Sequence, residues 1–152
     1  MTDATPTIRA GRPDEADRLT ATYEWLFAPP GGRPSGWDSG AAAERLRRAS
    51  SADSSRVLVA DEAGEIVGLC TVYLDLESVR FGPRAWVEDL AVHPERRSLG
   101  IGKRLLDAAK DWARERGATH LELDSGERRV DAHRFYEREE PSHRTVLFGW
   151  DL

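Results

Sequence analysis

Apolar residues recur along this chain with two periods, and the switches between them mark its elements. "TPTIRAGR" is a short β-type start around Thr7 and Ile8. In "PDEADRLTATYEWLF" the apolar groups Ala16, Leu19, Tyr23 and Leu26 fall three or four residues apart, a helical stripe. Pro13, Asp14 and Glu15 suit a helix start, and Pro29 and Pro30 end it. "APPGGRPSGWDSG" is a loop carrying Trp37, and "GAAAERLRRAS" is a second helix. "SRVLVADEAGEIVGLCTVYLDL" predicts two strands around a glycine-containing turn from Asp61 to Glu65. "RFGPR" breaks the chain, and "AWVEDLAV" is the next strand. In "GIGKRLLDAAKDWARERG", Ile101, Leu105, Leu106, Ala109, Trp112 and Ala113 share one helical face, with Gly117 as the C-terminal cap. "THLELDS" predicts a strand, "RRVDAHRFYERE" a short helix and "HRTVLFGWDL" a closing strand.

The order is strand, two helices, a run of strands, then helix, strand, helix, strand. It predicts one mixed α/β domain over residues 1–152, with a largely antiparallel first half and a parallel crossover near the centre. At 152 residues, with 39% hydrophobic and 32% charged residues, the chain is long enough to bury a real core and reads as soluble and globular. The net charge of −5 opposes bulk nucleic-acid binding and suits a cationic substrate. No apolar stretch is long enough to span a bilayer, and the first residues lack the basic start and apolar core of a signal peptide. Cys70 is the only cysteine, so no internal disulfide exists, in keeping with a reducing cytoplasm. The histidines, His93, His120, His133 and His143, have no metal-ligand spacing, so no metal is expected.

"ERRSLGIGKR" concentrates positive charge and glycine in an otherwise acidic chain. It is no Walker A loop, because Gly102-Lys103 is followed by Arg104 and position 97 is Arg. Nor is it a dinucleotide fingerprint, because Leu105 stands at the third glycine place. The remaining pattern is Arg97-x-x-Gly100-x-Gly102, between a strand ending near Val92 and a helix starting near Ile101. Glycines there let backbone N–H groups approach a phosphate, while the helix terminus, Arg97, Lys103 and Arg104 add positive charge. Taken alone, the six residues fit a pyrophosphate site and an ordinary glycine-rich turn equally well.

With its flanks, "VEDLAVHPERRSLGIGKRLLDAA", "LELDSG" and "AHRFYE", the pattern resembles the GNAT superfamily of acetyl-CoA-dependent N-acetyltransferases. The resemblance is specific from about Ala85 to Glu137. It implies a GNAT-like fold, a central mixed sheet flanked by helices, and transfer of the acetyl group of acetyl-CoA to a primary amine by direct attack. By resemblance, Arg97, Ser98, Leu99, Gly100, Ile101, Gly102 and Lys103 would hold the pyrophosphate. The backbone of Leu90, Ala91 and Val92 would pair with the pantetheine amides. Where many members follow the "FYE" helix with a Gly-Phe pair, this chain has "REEPSHRT", which puts the register of the last strand in question.

An alkyl amine with a pKa near ~10.4 must lose a proton before it attacks a thioester, and the departing thiolate benefits from an acid. Glu88 matches a position where some members carry a general-base glutamate, and strand alternation places Trp86, Leu90 and Val92 on its face. A solvated or salt-bridged strand acid is the other reading, and the adjacent Asp89, on the opposite face, is the weaker base. Tyr136 matches the family's general acid, against a core aromatic beside Phe135. His133 reads as a surface residue rather than a cofactor contact, and Cys70 as a buried strand residue. Tyr23, Trp25, Phe27 and Trp37, with Glu24, Asp38, Asp75 and Glu77, offer aromatic walls and acids suited to an ammonium group of a small molecule. The rival reading is a non-catalytic acyl-CoA-sensing or protein-interaction domain of the same fold. A homodimer is left open.

Overall fold

A computed structural model of the chain describes residues 4–152. Five strands form one sheet in the order β1-β2-β3-β4-β5: β1 Thr7–Ala10, β2 Ser55–Glu62, β3 Glu65–Leu74, β4 Arg84–Val92 and β5 His120–Glu122. The first three pairings are antiparallel, and β4–β5 is parallel, with Arg84, Ala85 and Trp86 opposite His120, Leu121 and Glu122. A parallel pair needs a crossover. Helix α4, Ile101–Glu115, supplies it, and all six residues of its predicted stripe are buried. Gly117, at φ +84°, and the N–H of Ala118 donating to the Ala113 carbonyl close that helix as predicted.

The sheet is covered on both faces. Helices α1 (Ala16–Thr20) and α3 (Ser39–Ser51) bury Leu19, Ala43 and Leu46 against Val57, Val59 and Leu69. Helix α4 packs on the other face over Leu58, Cys70, Val72 and Val87, with α5 (Val130–Arg138) beside it. Close approach of α4 depends on Gly68, where a Cβ would lie 2.9 Å from Leu105 Cδ1 and 3.1 Å from Ile101 Cγ2.

Three expectations change. The first predicted helix is broken into a 3₁₀ turn at Pro13–Glu15, α1, a second 3₁₀ turn at Ala21–Tyr23 and helix α2, Glu24–Phe27. Its two buried threonines explain this: the Thr20 and Thr22 hydroxyls donate back to the Ala16 and Leu19 carbonyls, each at 2.7 Å, and such back-bonding bends a helix. β5 stops at Glu122 instead of running through "LDS". The predicted closing strand is absent: residues 139–152 form no helix or strand, and residues 146–152 are exposed.

A partly buried ion pair ties β1 to the first turn. Glu15 accepts from Arg9 at 2.7 and 3.0 Å and from the Arg12 N–H at 2.8 Å, while Arg9 also reaches Asp61 at 3.0 Å. The Arg9 guanidinium, helped by the Arg12 N–H and opposed by burial, holds the Glu15 carboxyl down at about 2. A lowered pKa makes the native state more stable above the ordinary carboxylate range, and this contribution is lost as pH falls toward 2. Glu15→Gln is therefore expected to lose roughly 1–3 kcal/mol at pH 7. Urea unfolding at a series of pH values should show the gap to wild type narrowing steadily below pH ~4.5.

Candidate active site

The glycine-containing loop lies at the N-terminus of α4, just beyond the end of β4. Gly100 caps the helix at φ +82° and no side chain caps it, so the first N–H groups of α4 have no side-chain partner. A Cβ on Gly100 would meet nothing within 4 Å, so the space above the loop is open. Ser98 shares the left-handed conformation, at φ +63°. Two such residues within three positions make a tight, nest-like turn, a kind of backbone that can receive an anion. Ile101 is 2% exposed, so only its backbone can serve the loop. Under Gly102, the Phe135 ring lies 3.5 Å from where a Cβ would stand and fixes the loop from below.

The cations around this loop are not equally available. Arg97 donates to the Val92 carbonyl at 3.3 Å and stays beside the nest. Lys103 is held by Glu139 at 2.9 Å and Asp107 at 3.2 Å, and Arg104 turns away to the Pro6 carbonyl. The sequence reading that counted Arg104 among the anion's charges is corrected accordingly.

At the centre of β4 the register shifts: Asp89 pairs with Thr71 but Val87 with Val72, leaving Glu88 as the extra residue of a β-bulge. The bulge breaks the alternation on which the sequence reading relied. Ala85 and Val87 face α4 before it, and Leu90 and Val92 face α4 after it. Trp86 and Glu88 therefore do not share a face with Leu90 and Val92, and Glu88 and Asp89 come to the same side. Glu88 is exposed and accepts from the Trp86 indole N–H at 3.0 Å. Asp89 is engaged more deeply, accepting from the Tyr23 hydroxyl at 2.7 Å and Thr71 Oγ1 at 3.2 Å. Burial raises both carboxyls, and the charge of Asp89 raises Glu88 further.

Beyond Glu122 the chain leaves the ladder while β4 continues to Val92, so the two strands splay. A groove of about 750 Å³ follows the edge of β5, with Trp86, Leu123, Asp124, His133 and Tyr136 among its walls. Burial pushes the Tyr136 hydroxyl up to about 12, with the neighbouring Cys70 in the same direction and Arg129 opposing. Cys70 is itself buried, and desolvation pushes its thiol up to about 12. Asp124, which sequence reasoning missed, adds negative charge felt by Glu88, Asp89, Tyr73 and Tyr136 alike. Its signal was present in "THLELDS": with Leu121 and Leu123 on one face, Glu122 and Asp124 take the other.

The aromatic wall also forms. Tyr23 stacks on Trp37 at 5.7 Å, and Phe27 meets Trp37 edge-on at 4.7 Å. Trp25 instead packs against His93 at 5.2 Å. Of the acids expected beside it, Glu24 is paired with Arg33, Asp38 caps α3 through the Ala41 N–H, and Asp75 is paired with Arg84. A clasp crosses the cleft, where Arg129 donates to the Leu26 carbonyl at 2.9 Å. Gly31 fits beneath it, since a Cβ there would lie 1.9 Å from that carbonyl oxygen. Among the described residues no group of three or more His, Cys, Asp or Glu side chains is placed to hold a metal ion, and no helix is long and apolar enough to cross a membrane.

A parallel strand pair that parts in front of an uncapped, glycine-opened helix terminus gives a mixed α/β fold with approachable backbone at its centre. The chain belongs to the acetyltransferase (GNAT) family, which it matches over residues 19–139. It is 40% identical over 93 residues to the uncharacterized N-acetyltransferase YhdJ of Bacillus subtilis, an alignment covering 61% of this chain and 65% of that protein. It is 37% identical over 76 residues to the aminoalkylphosphonate N-acetyltransferase of Salmonella typhimurium, covering 50% and 49%. The chain thus spans less than two thirds of the length of these curated relatives. A crystal structure of an aminoglycoside acetyltransferase from an uncultured soil metagenomic sample superimposes with a TM-score of 0.78 at 25% identity, covering 100% of this chain and 99% of that one.

The raised pKa of Asp89 has a consequence for stability. The native state holds that proton more tightly than the unfolded chain, so stability falls as pH rises above the ordinary carboxylate range. Asp89→Asn keeps an oxygen for Tyr23 and Thr71 and removes the charge. It is expected to unfold at higher urea concentration than wild type at pH 7.5, with the two curves converging at pH 4.

Proposed function

We propose that this chain transfers the acetyl group of acetyl-CoA to a primary amine carried by a small cationic molecule. The observation that carries the proposal is the open helix terminus at Gly100, with uncapped N–H groups on a splayed strand pair. Those N–H groups and Arg97 would hold the pyrophosphate, through backbone hydrogen bonds and the partial positive charge of the α4 terminus. The β5-facing backbone of Leu90 and Ala91, where β5 has ended, would pair with the pantetheine amides like an added strand, next to the Val92 carbonyl that Arg97 holds. Beside it, Glu88 takes the amine proton, directly or through water. Its raised pKa brings it toward neutrality, and its exposure leaves it freer than Asp89, whose carboxylate is occupied by Tyr23 and Thr71. Tyr136, raised to about 12, keeps its proton at neutral pH and gives it to the departing thiolate. Atoms balance without an enzyme-bound intermediate: the amine nitrogen forms the new C–N bond as the C–S bond breaks.

The amine's class follows from the groove. Asp75, Glu122, Asp124, Glu137, Glu139 and Glu140 line it against Arg84, Lys110 and Arg144, and Arg84 is already shared between Asp75 and Glu122. This surplus of negative charge favours an ammonium-bearing acceptor. The relatives named for aminoglycoside and aminoalkylphosphonate acetylation support a small amine without specifying which.

Two measurements test the reading. Gly100→Trp fills the space above the nest, and calorimetry is expected to show acetyl-CoA binding lost; unchanged affinity would overturn the cofactor assignment. Tyr136→Phe keeps the ring and removes the donor. Its kcat, followed by thiol release, should fall roughly 10²–10⁴-fold with acetyl-CoA binding retained. In the same assay Glu88→Gln is expected to move the rising limb of the pH–rate profile to higher pH. If no amine in a panel raises thiol release above hydrolysis while acetyl-CoA binds, the chain is a binding domain and not a transferase.

A further inference from the structure

Glu88 differs from the other acids around the cleft in what holds it. Asp89 is fixed by Tyr23 and Thr71, while Asp75 and Glu122 share Arg84. Among the described residues no cation pairs with Glu88, and its side chain accepts from the Trp86 indole, Nε1 to Oε2 at 3.0 Å. Trp86 is the last residue of the β4–β5 ladder, with Tyr73 opposite it on β3 and Glu122 opposite it on β5. Cross-strand neighbours thus flank the half-buried ring on both sides. Glu88 is the extra residue of the bulge, exposed, with a long side chain whose torsions must be ordered before it can act. One hydrogen bond joins its carboxylate to the wall of the groove, where Trp86 stands.

We propose that Trp86 is a positioning residue of the transfer reaction, holding the Glu88 carboxylate toward the point where β4 and β5 part. The inference rests on the reading of Glu88 as the base. A base must lie within hydrogen-bond reach of the proton it takes, and an unheld glutamate on an exposed bulge samples several rotamers. The kind of donor matters as much as the hold. Glu15 shows what a guanidinium does: with Arg9 on it, that carboxyl sits at about 2, far below the range of an effective base near neutrality. An indole N–H orients a carboxylate through a neutral dipole, and Glu88 stays above its ordinary value. The titratable groups that face Glu88 are Asp89 on its own strand, Asp124 beyond β5, Tyr73 on β3 and Tyr23 from the N-terminal helices. Each is anionic or neutral, and Arg84, two residues before Trp86, is taken up by Asp75 and Glu122. The Trp86 N–H is therefore the contact that favours the charged form of Glu88, against burial and the neighbouring anions. Removing it raises the carboxyl further and leaves its direction unfixed.

Two substitutions separate the donor from the ring. Trp86→Phe keeps an aromatic ring and removes the N–H. Trp86→Gln removes the ring and keeps a neutral N–H donor the same number of bonds from Cβ as the indole nitrogen. Isotope-labelled glutamate lets NMR follow the Glu88 titration directly, with Glu88→Gln to assign the signal. Thiol release from acetyl-CoA is followed over the same pH series with the most active amine of the panel. In Trp86→Phe, the Glu88 titration and the rising limb of the kcat profile are both expected about half a unit to one unit above wild type. Its kcat at pH 7 should fall roughly 3- to 10-fold, with acetyl-CoA affinity unchanged by calorimetry. Trp86→Gln should bring both back toward wild type, and in the Glu88→Gln background Trp86→Phe should move the limb no further. In wild type the Trp86 indole N–H signal should shift with the Glu88 titration and stop shifting in Glu88→Gln, a readout that needs no change at Trp86. An N–H signal indifferent to Glu88, or a Glu88 titration that Trp86→Phe leaves in place, overturns the proposal and leaves the base assignment standing. So does a limb that follows the ring, near wild type in Trp86→Phe and displaced in Trp86→Gln. If Glu88→Gln leaves the profile unmoved, or no amine is acetylated, the base reading fails and the proposal falls with it.

Discussion

Everything in this molecule that bears on chemistry depends on the parallel contact between β4 and β5. A parallel pair cannot be joined by a tight turn, so a helix must carry the chain back along the sheet. That helix starts where β4 ends, and its N-terminus is thereby aimed at the mouth of the strand pair. Gly68 lets α4 lie close enough for Ile101 and Leu105 to reach the sheet, which fixes the terminus in place. Because the ladder extends only from Arg84 to Trp86 on β4, the remainder of that strand keeps its pairing to β3 but has no strand partner on its β5 side, near the start of α4. The nest-like turn and the unpartnered strand backbone are thus two results of one short pairing.

The bulge at Glu88 places the carboxylates where the strands part. Without the extra residue, Glu88 and Asp89 would lie on opposite faces, with one of them directed into the α4 core. With it, both turn toward the α1–α3 side, where Tyr23 and Thr71 occupy Asp89 and leave Glu88 exposed. The division of roles between two adjacent acids is therefore one of partners. Asp124, arriving from the end of β5, adds a third negative charge. Tyr136 arrives from α5, whose neighbour Phe135 packs under Gly102 and so ties the acid's helix to the nest.

The N-terminal helices contribute differently. They cover β1–β3 and end short of β5, so the sheet is left open on that side over Trp86, Glu122 and Asp124. The Arg129–Leu26 clasp and the Tyr23–Trp37 stack join this cap to the rest of the cleft. The sheet closes on one edge with β1 and ends on the other with β5, along which residues 139–145 and Leu147 line the groove.

The sequence by itself determined the elements whose burial is periodic. The six-residue stripe of α4, the hairpin of β2 and β3, the β4 strand and the Gly117 cap were legible because each follows from local geometry and from which side chains avoid water. The glycine loop was legible as a place where backbone must be approachable, and its flanks carried the family resemblance. Only the tertiary structure decided the bulge, because an extra residue in β4 is defined by the register of β3 and leaves no mark in the alternation of "AWVEDLAV" itself. Only it separated Arg97, which stays by the nest, from Arg104 and Lys103, which neighbours distant in sequence draw away. It also removed the final strand. "TVLFGWDL" has the composition and period of a strand, but a strand exists only when an edge receives it, and which edge does so is not written in the segment.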